Sequence, residues 1–138
     1  QQNELLAAVA DYRERFLQAM DAAGVDVLIC PVNPLPAIPH GAFSRVQAGM
    51  SYTAIFSLLD FPAGVIPAVS LDLEKDVWPP TSARQDSVDK AIRATYAKCL
   101  DAGVAWPAGA QIAARPYQEE DVLKVMVAAE ESLAAAQV

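Results

Sequence analysis

Asp26-Val27-Leu28-Ile29-Cys30-Pro31 is a short, continuous apolar run closed by a proline. Apolar residues in succession, with no polar alternation, suit a strand covered on both faces, as in a parallel sheet layered between helices. A strand is therefore expected over 25–31. The residues before it are helical in pattern: Leu5, Val9, Tyr12, Phe16 and Met20 recur at helical spacing within 3–23. Asn3 can cap that helix, and Glu4 lies in its first turn, where the dipole favours an acid. Gly24 is its natural stop, because glycine accepts a left-handed backbone.

Downstream, Pro31, Pro34, Pro36, Pro39, Gly41 and Gly49 make 31–49 a long loop, a length usually tied to function or disorder. Over 50–59, Met50, Tyr52, Ile55, Phe56, Leu58 and Leu59 predict a helix that is apolar all round and so buried. Asp60-Phe61-Pro62 ends it. A second buried strand is expected over 63–69, weakened by Gly64 and closed around Pro67. Residues 70–83, with Trp78-Pro79-Pro80, read as an exposed connector. Val88, Ile92, Tyr96 and Cys99 mark a helix over 84–102, stopped by Gly103 and Pro107. A third strand follows over 109–114. Arg115-Pro116-Tyr117 turns the chain into a helix over 118–136, with Glu119, Glu120 and Asp121 in its first turn. Its inner stripe is Val122, Met126, Ala129 and Leu133. The alternation predicts a single α/β segment, 1–138, in which helices cover a largely parallel or mixed sheet of about three strands. Such a sheet has two open edges, which invite pairing with further backbone outside this chain.

The bulk numbers allow two readings, a chain that packs against other protein or a piece cut from a larger core. The chain has 138 residues, 54% of them hydrophobic, and a mean hydropathy of +0.21. That is apolar for a domain of this size, which keeps much of its surface wet. Ten Lys and Arg against 17 Asp and Glu give a net charge of −7, which speaks against a nucleic-acid partner. No apolar run is long enough for a transmembrane segment. The chain opens Gln1-Gln2-Asn3, with neither a signal peptide nor an initiator Met, so the expectation is a cytoplasmic chain that begins partway through a longer one. Cys30 and Cys99 fall in apolar surroundings and read as buried thiols in a reducing compartment, with a disulfide between them left open.

Chemistry is sparse. His40 is the one histidine, in the proline-rich loop, with no Gly-x-Ser-x-Gly elbow to pair with. Cys30 sits in an apolar strand, a setting in which thiols are inert. Glu119, Glu120 and Asp121 are consecutive on a helix and point in different directions, so they converge on no metal. No glycine-rich phosphate loop occurs. No metal, cofactor or catalytic residue is expected from the residues alone.

Three stretches, in order, add to this reading. They are Asp26-Val27-Leu28-Ile29-Cys30-Pro31; Ser51-Tyr52-Thr53 with Asp60-Phe61-Pro62-Ala63-Gly64-Val65-Ile66-Pro67; and Trp106-Pro107-Ala108-Gly109-Ala110-Gln111-Ile112 followed by Pro116-Tyr117-Gln118-Glu119-Glu120. Together they resemble the C-terminal part of the amidase-signature family, nearest its fatty-acid-amide-hydrolase and acetamidase branches. The resemblance implies a serine hydrolase of amides with a Ser–Ser–Lys triad and a backbone oxyanion hole, both in an upstream Gly/Ser-rich region that is not in this sequence. Lys75, Lys90, Lys98 and Lys124 have no matching serine pair, so no catalytic residue carries over. What the resemblance implies for this chain is scaffold and pocket wall. Met50 and Ala54 would face the acyl channel, with Gln47 just before them and Tyr117 near the channel mouth. The plainer alternatives are ordinary core for Met50 and Ala54, and a turn-packing surface aromatic for Tyr117. Ser57 departs from the pattern, which has asparagine there. The implied partners are a small-molecule amide substrate and the remainder of the amidase chain. The competing reading is a non-catalytic interaction or oligomerisation domain derived from an amidase, with a self-association partner.

Overall fold

The computed structural model describes all residues except 1, 39, 73–74, 77–85, 102–105 and 137–138. The Trp78-Pro79-Pro80 connector, the expected helix start at 84, the Gly103 stop and the Cys99 side chain lie outside the described residues. The elements are α1 (Gln2–Ala23), β1 (Val27–Pro31), two short 3-10 helices (Phe43–Arg45 and Gln47–Met50), α2 (Ser51–Leu59), β2 (Ala63–Leu71), α3 (Ser87–Asp101), β3 (Trp106–Ala114) and α4 (Glu119–Ala136).

Local chemistry sets several of these ends. Gly24 takes φ 65°. Its amide bonds the Asp21 carbonyl at 3.1 Å, and the Val25 amide bonds that of Met20 at 3.0 Å, closing α1. Asp86 starts α3, its carboxylate accepting from the amides of Val88 at 3.0 Å and Asp89 at 2.8 Å.

The α/β class and the three strands hold, in the order β1-β3-β2. Both pairings are antiparallel: Val27 opposes Ala114 and Pro31 opposes Ala110, while Ala63 opposes Ala113 and Leu71 opposes Trp106. The last strand inserts between the first two, and a continuous apolar run does not encode direction. β3 also begins earlier than residue 109, at Trp106. Its first residues pair with β2 alone. The Pro107 carbonyl turns away from β2 to accept from the Ala37 amide at 3.2 Å. Its ring nitrogen faces the same way, so the missing N–H costs no ladder bond.

Side chains alternate across the sheet and divide the core in two. On one face Leu28, Cys30 and Ala113 lie under Phe16, Leu17 and Met20 of α1 and Ile55, Phe56 and Leu59 of α2, with Phe61. Phe16 meets Phe61 edge-on at 5.7 Å between centroids, a favoured aromatic geometry. On the other face Val27, Ile66, Ala110, Ile112 and Ala114 lie under Val122, Val125, Met126, Ala129 and Leu133 of α4. Leu59 and Ile112 are fully buried; each such side chain stabilises the fold by about 2 kcal/mol.

The two helical layers are staggered. α4 packs against β2 and β3, and on its side of the sheet Ile29 of β1 stays 63% exposed. On the α1/α2 side, Val65 of β2 stays 52% exposed. The edge strands are thus not covered on both faces, as the apolar runs had suggested. α2 likewise is not buried all round: Phe56 and Leu59 are inside, while Met50, Tyr52 and Leu58 are largely exposed.

Candidate functional site

α2 grows out of the 3-10 helix Gln47–Met50 without a side-chain cap, since Met50 itself has helical angles (φ −61°, ψ −18°). In a 3-10 turn, side chains three apart eclipse one another, which aligns Gln47 with Met50. In the α-helix that follows, residues three and four apart share a face. Gln47, Met50, Ala54 and Ser57 therefore form one stripe, about 16 Å long, and all four are exposed. None of them carries a charge. The core reading for Met50 and Ala54 does not apply within this chain, because the buried side of α2 is that of Phe56 and Leu59.

The far end of the stripe is fixed differently. Asp60 closes α2 in a left-handed conformation (φ 61°, ψ 38°). The Phe61 amide bonds the Phe56 carbonyl at 2.9 Å, and Arg13 of α1 pairs with the Asp60 carboxylate at 3.2 Å. Ser57, Asp60, Phe61 and Pro62 line a shallow groove of about 270 Å³ with Pro116, Tyr117 and Glu119. Tyr117 thus stands beyond the C-terminal end of α2, meeting the stripe at Ser57 rather than at Met50. It is 87% exposed and has φ 64°. A left-handed backbone is costly for a bulky residue, and nothing buried offsets that cost here.

Two polar side chains that did not stand out in the sequence tie these parts to the sheet. Gln111 of β3 is 2% exposed, and its amide nitrogen donates to the carbonyls of Pro31 at 2.8 Å and Tyr52 at 2.7 Å. Arg115, at the end of β3, donates to the Val25 carbonyl at 3.0 Å and pairs with the Asp21 carboxylate. The signal for Gln111 was a lone amide within an apolar strand.

The other sequence candidates are not brought together. His40 is exposed beside α3, in a hollow lined by Ala91, Ala94, Thr95 and Lys98. Cys30 is a free thiol packed against the α1/α2 core. Asp121 engages Lys124 at 2.8 Å, and that hydrogen bond pushes the Lys124 ammonium above the ordinary lysine range. Lys75 pairs with Asp72 at 2.7 Å. Among the described residues no three His, Cys, Asp or Glu side chains are placed to hold a metal ion, and no helix is long and apolar enough to cross a membrane.

Comparison with known proteins places this geometry. A family model described as Amidase matches residues 2–123. Fatty acid amide hydrolase 1 of Caenorhabditis elegans is 41% identical over 131 residues, which cover 89% of this chain and 22% of that protein. Fatty-acid amide hydrolase 1 of Sus scrofa is 29% identical over 135 residues, covering 89% of this chain and 21% of that protein. A solved structure of a fatty acid amide hydrolase superposes with a TM-score of 0.79 at 24% identity, over 95% of this chain and 23% of that one. The chain thus spans about a fifth of the length of the curated relatives it matches.

Proposed function

The chain belongs to the amidase signature family, and from that premise we propose that it forms the scaffold and one substrate-channel wall of a serine amide hydrolase. The substrates are carboxylic or fatty-acid amides, and the Ser–Ser–Lys triad is supplied by residues outside this chain. The observation that carries the reading is the uncharged, exposed stripe of Gln47, Met50 and Ala54 on a helix whose opposite side is locked into the core. Pocket walls for acyl or aromatic groups are mostly apolar, with few polar atoms. Gln47 offers such an atom at one end of the stripe and Ser57 at the other. Tyr117, held on a strained backbone and left in the open, suits the mouth of the channel.

By this reading the chain is chemically inert alone. Two of its four lysines, Lys75 and Lys124, are engaged with carboxylates. The test has two arms. The isolated 138-residue chain, incubated with a short and a long-chain amide, is expected to give no turnover and no labelling by a serine-directed phosphonate. In the whole protein that carries it, Ala54→Trp or Met50→Trp is expected to cut use of the long-chain amide at least tenfold relative to the short one. Turnover by the isolated chain, or equal effects on both amides, would overturn the reading.

A second reading has its own support. Ile29, Val65 and Val69 are exposed on the edge strands, and exposed apolar edges favour strand pairing. In a non-catalytic interaction domain those edges would pair between copies. Light scattering separates the two: a stable dimer lost on Val65→Lys favours this second reading, and an unchanged mass removes it.

A further inference from the structure

We propose that Gln111 is the positioning residue of the substrate wall, holding the front of α2 at a fixed place relative to β1. The inference rests on the reading of the α2 stripe as that wall.

The argument begins with cost. A side-chain amide buried in an apolar strand loses its water, and it is retained only where hydrogen bonds replace that water. Gln111 has such replacements on two elements at once. Its amide nitrogen reaches the Pro31 carbonyl, where β1 gives way to the proline-rich loop, and the Tyr52 carbonyl, in the first turn of α2. Tyr52 lies between Met50 and Ala54 in sequence. An NH2 group has two hydrogens, one for each carbonyl. Glutamate has none to give, and asparagine is a methylene too short to span both.

The two ends of α2 are thus held by different means. Its back end is fixed by Leu59 and Phe56 in the core and by Asp60 with Arg13. Its front end follows a 3-10 turn, lacks a side-chain cap and exposes Met50 and Tyr52. Gln111 is a buried polar tie at that front. Loosening it lets the helix pivot about Leu59, which displaces Met50 and Ala54 while the fold stays intact.

The experiment uses Gln111→Met in the whole protein that carries this chain. Methionine keeps the length and removes both donors. Amide hydrogen exchange over 51–54 is expected to accelerate about tenfold while exchange over 56–59 is unchanged. KM for a long-chain amide is expected to rise about tenfold with kcat preserved, and a short amide to be unaffected. If Gln111→Met yields no folded protein, Gln111→Asn, which keeps a polar amide but is too short to reach both carbonyls, is expected to shift the same readouts in the same direction. Unchanged exchange at 51–54, or equal acceleration along the whole of α2, overturns the proposal, as does a fall in kcat alone. Ala54→Trp separates the two levels. If it alters chain-length preference while Gln111→Met leaves KM unchanged, the wall stands and the positioning role falls. If neither variant alters preference, the wall reading itself falls.

Discussion

Gly64 of β2 and Met126 of α4 share one space: a Cβ on Gly64 would overlap the Met126 Sδ and come 3.0 Å from its Cε. The position opposite Ile112 in the sheet is therefore empty of side chain so that α4 can press a thioether against the strand. The close approach is made by a side chain of the covering helix, not by another backbone.

Gly64→Ala is expected to lower stability by about 1 kcal/mol, the low end for overpacking, because the tip of a methionine can swing aside. Gly64→Val should cost about 3 kcal/mol. Combining Gly64→Ala with Met126→Ala should cost less than the two separate losses added together, and a urea-denaturation double-mutant cycle measures the difference. Strict additivity would show that the two residues do not compete.

Arg115 and Asp21 form one ion pair, yet their substitutions should differ. Asp21 is 64% exposed and Arg115 21%, so the ion pair itself contributes below about 1 kcal/mol, and Asp21→Asn should cost no more than that. Arg115→Met also removes the charged hydrogen bond to the Val25 carbonyl and should cost about 2 kcal/mol. Raising the salt concentration should erase the Asp21 effect and leave most of the Arg115 effect. Equal losses at both positions would refute the distinction.

Tyr117 should trade stability for use. Its φ of 64° suits glycine or asparagine, and at 87% exposure its ring gains little from burial. Tyr117→Asn is expected to raise stability by about 0.5–1 kcal/mol, read as a higher melting temperature. Under the proposed function the same variant weakens binding of long-chain amides. A stabilised variant with undiminished binding would leave the tyrosine as a surface aromatic.

The Lys124–Asp121 pair gives an alkaline signature. The folded ammonium titrates above the ordinary lysine value of 10.5, first through its hydrogen bond to Asp121 and then through the charge of that carboxylate. A raised folded pKa means that the contribution is complete below the unfolded value and disappears as pH climbs through the folded one. Wild type and Lys124→Met should therefore differ by a small constant from pH 7 to 9 and converge above the lysine range. A gap that widens with pH would reverse the sign.

Much of the fold was legible because it depends on local rules. Helical periodicity marked α1 and α4, and Gly24 stops α1 in the left-handed backbone expected of it. Strand order was not legible: the runs at β1 and β2 carry no mark that β3 will come between them. Asp60 and Tyr117 take positive φ without being glycine, so the sequence marked both turns but not their left-handed backbone. The stripe of Gln47, Met50 and Ala54 was reached by resemblance, and its exposure is a tertiary property that an all-round apolar pattern conceals. Gln111 was in plain view as one letter of a motif. Its role depends on two carbonyls 80 and 59 residues away in sequence, a relation no local window contains.

Both acceptors of Gln111 belong to the main chain. Its grip is therefore indifferent to which side chains occupy positions 31 and 52. Variation at Tyr52 can retune the surface of α2 without shifting the helix, so chemical character and placement are separate dials at this site, and one can drift while the other stays set.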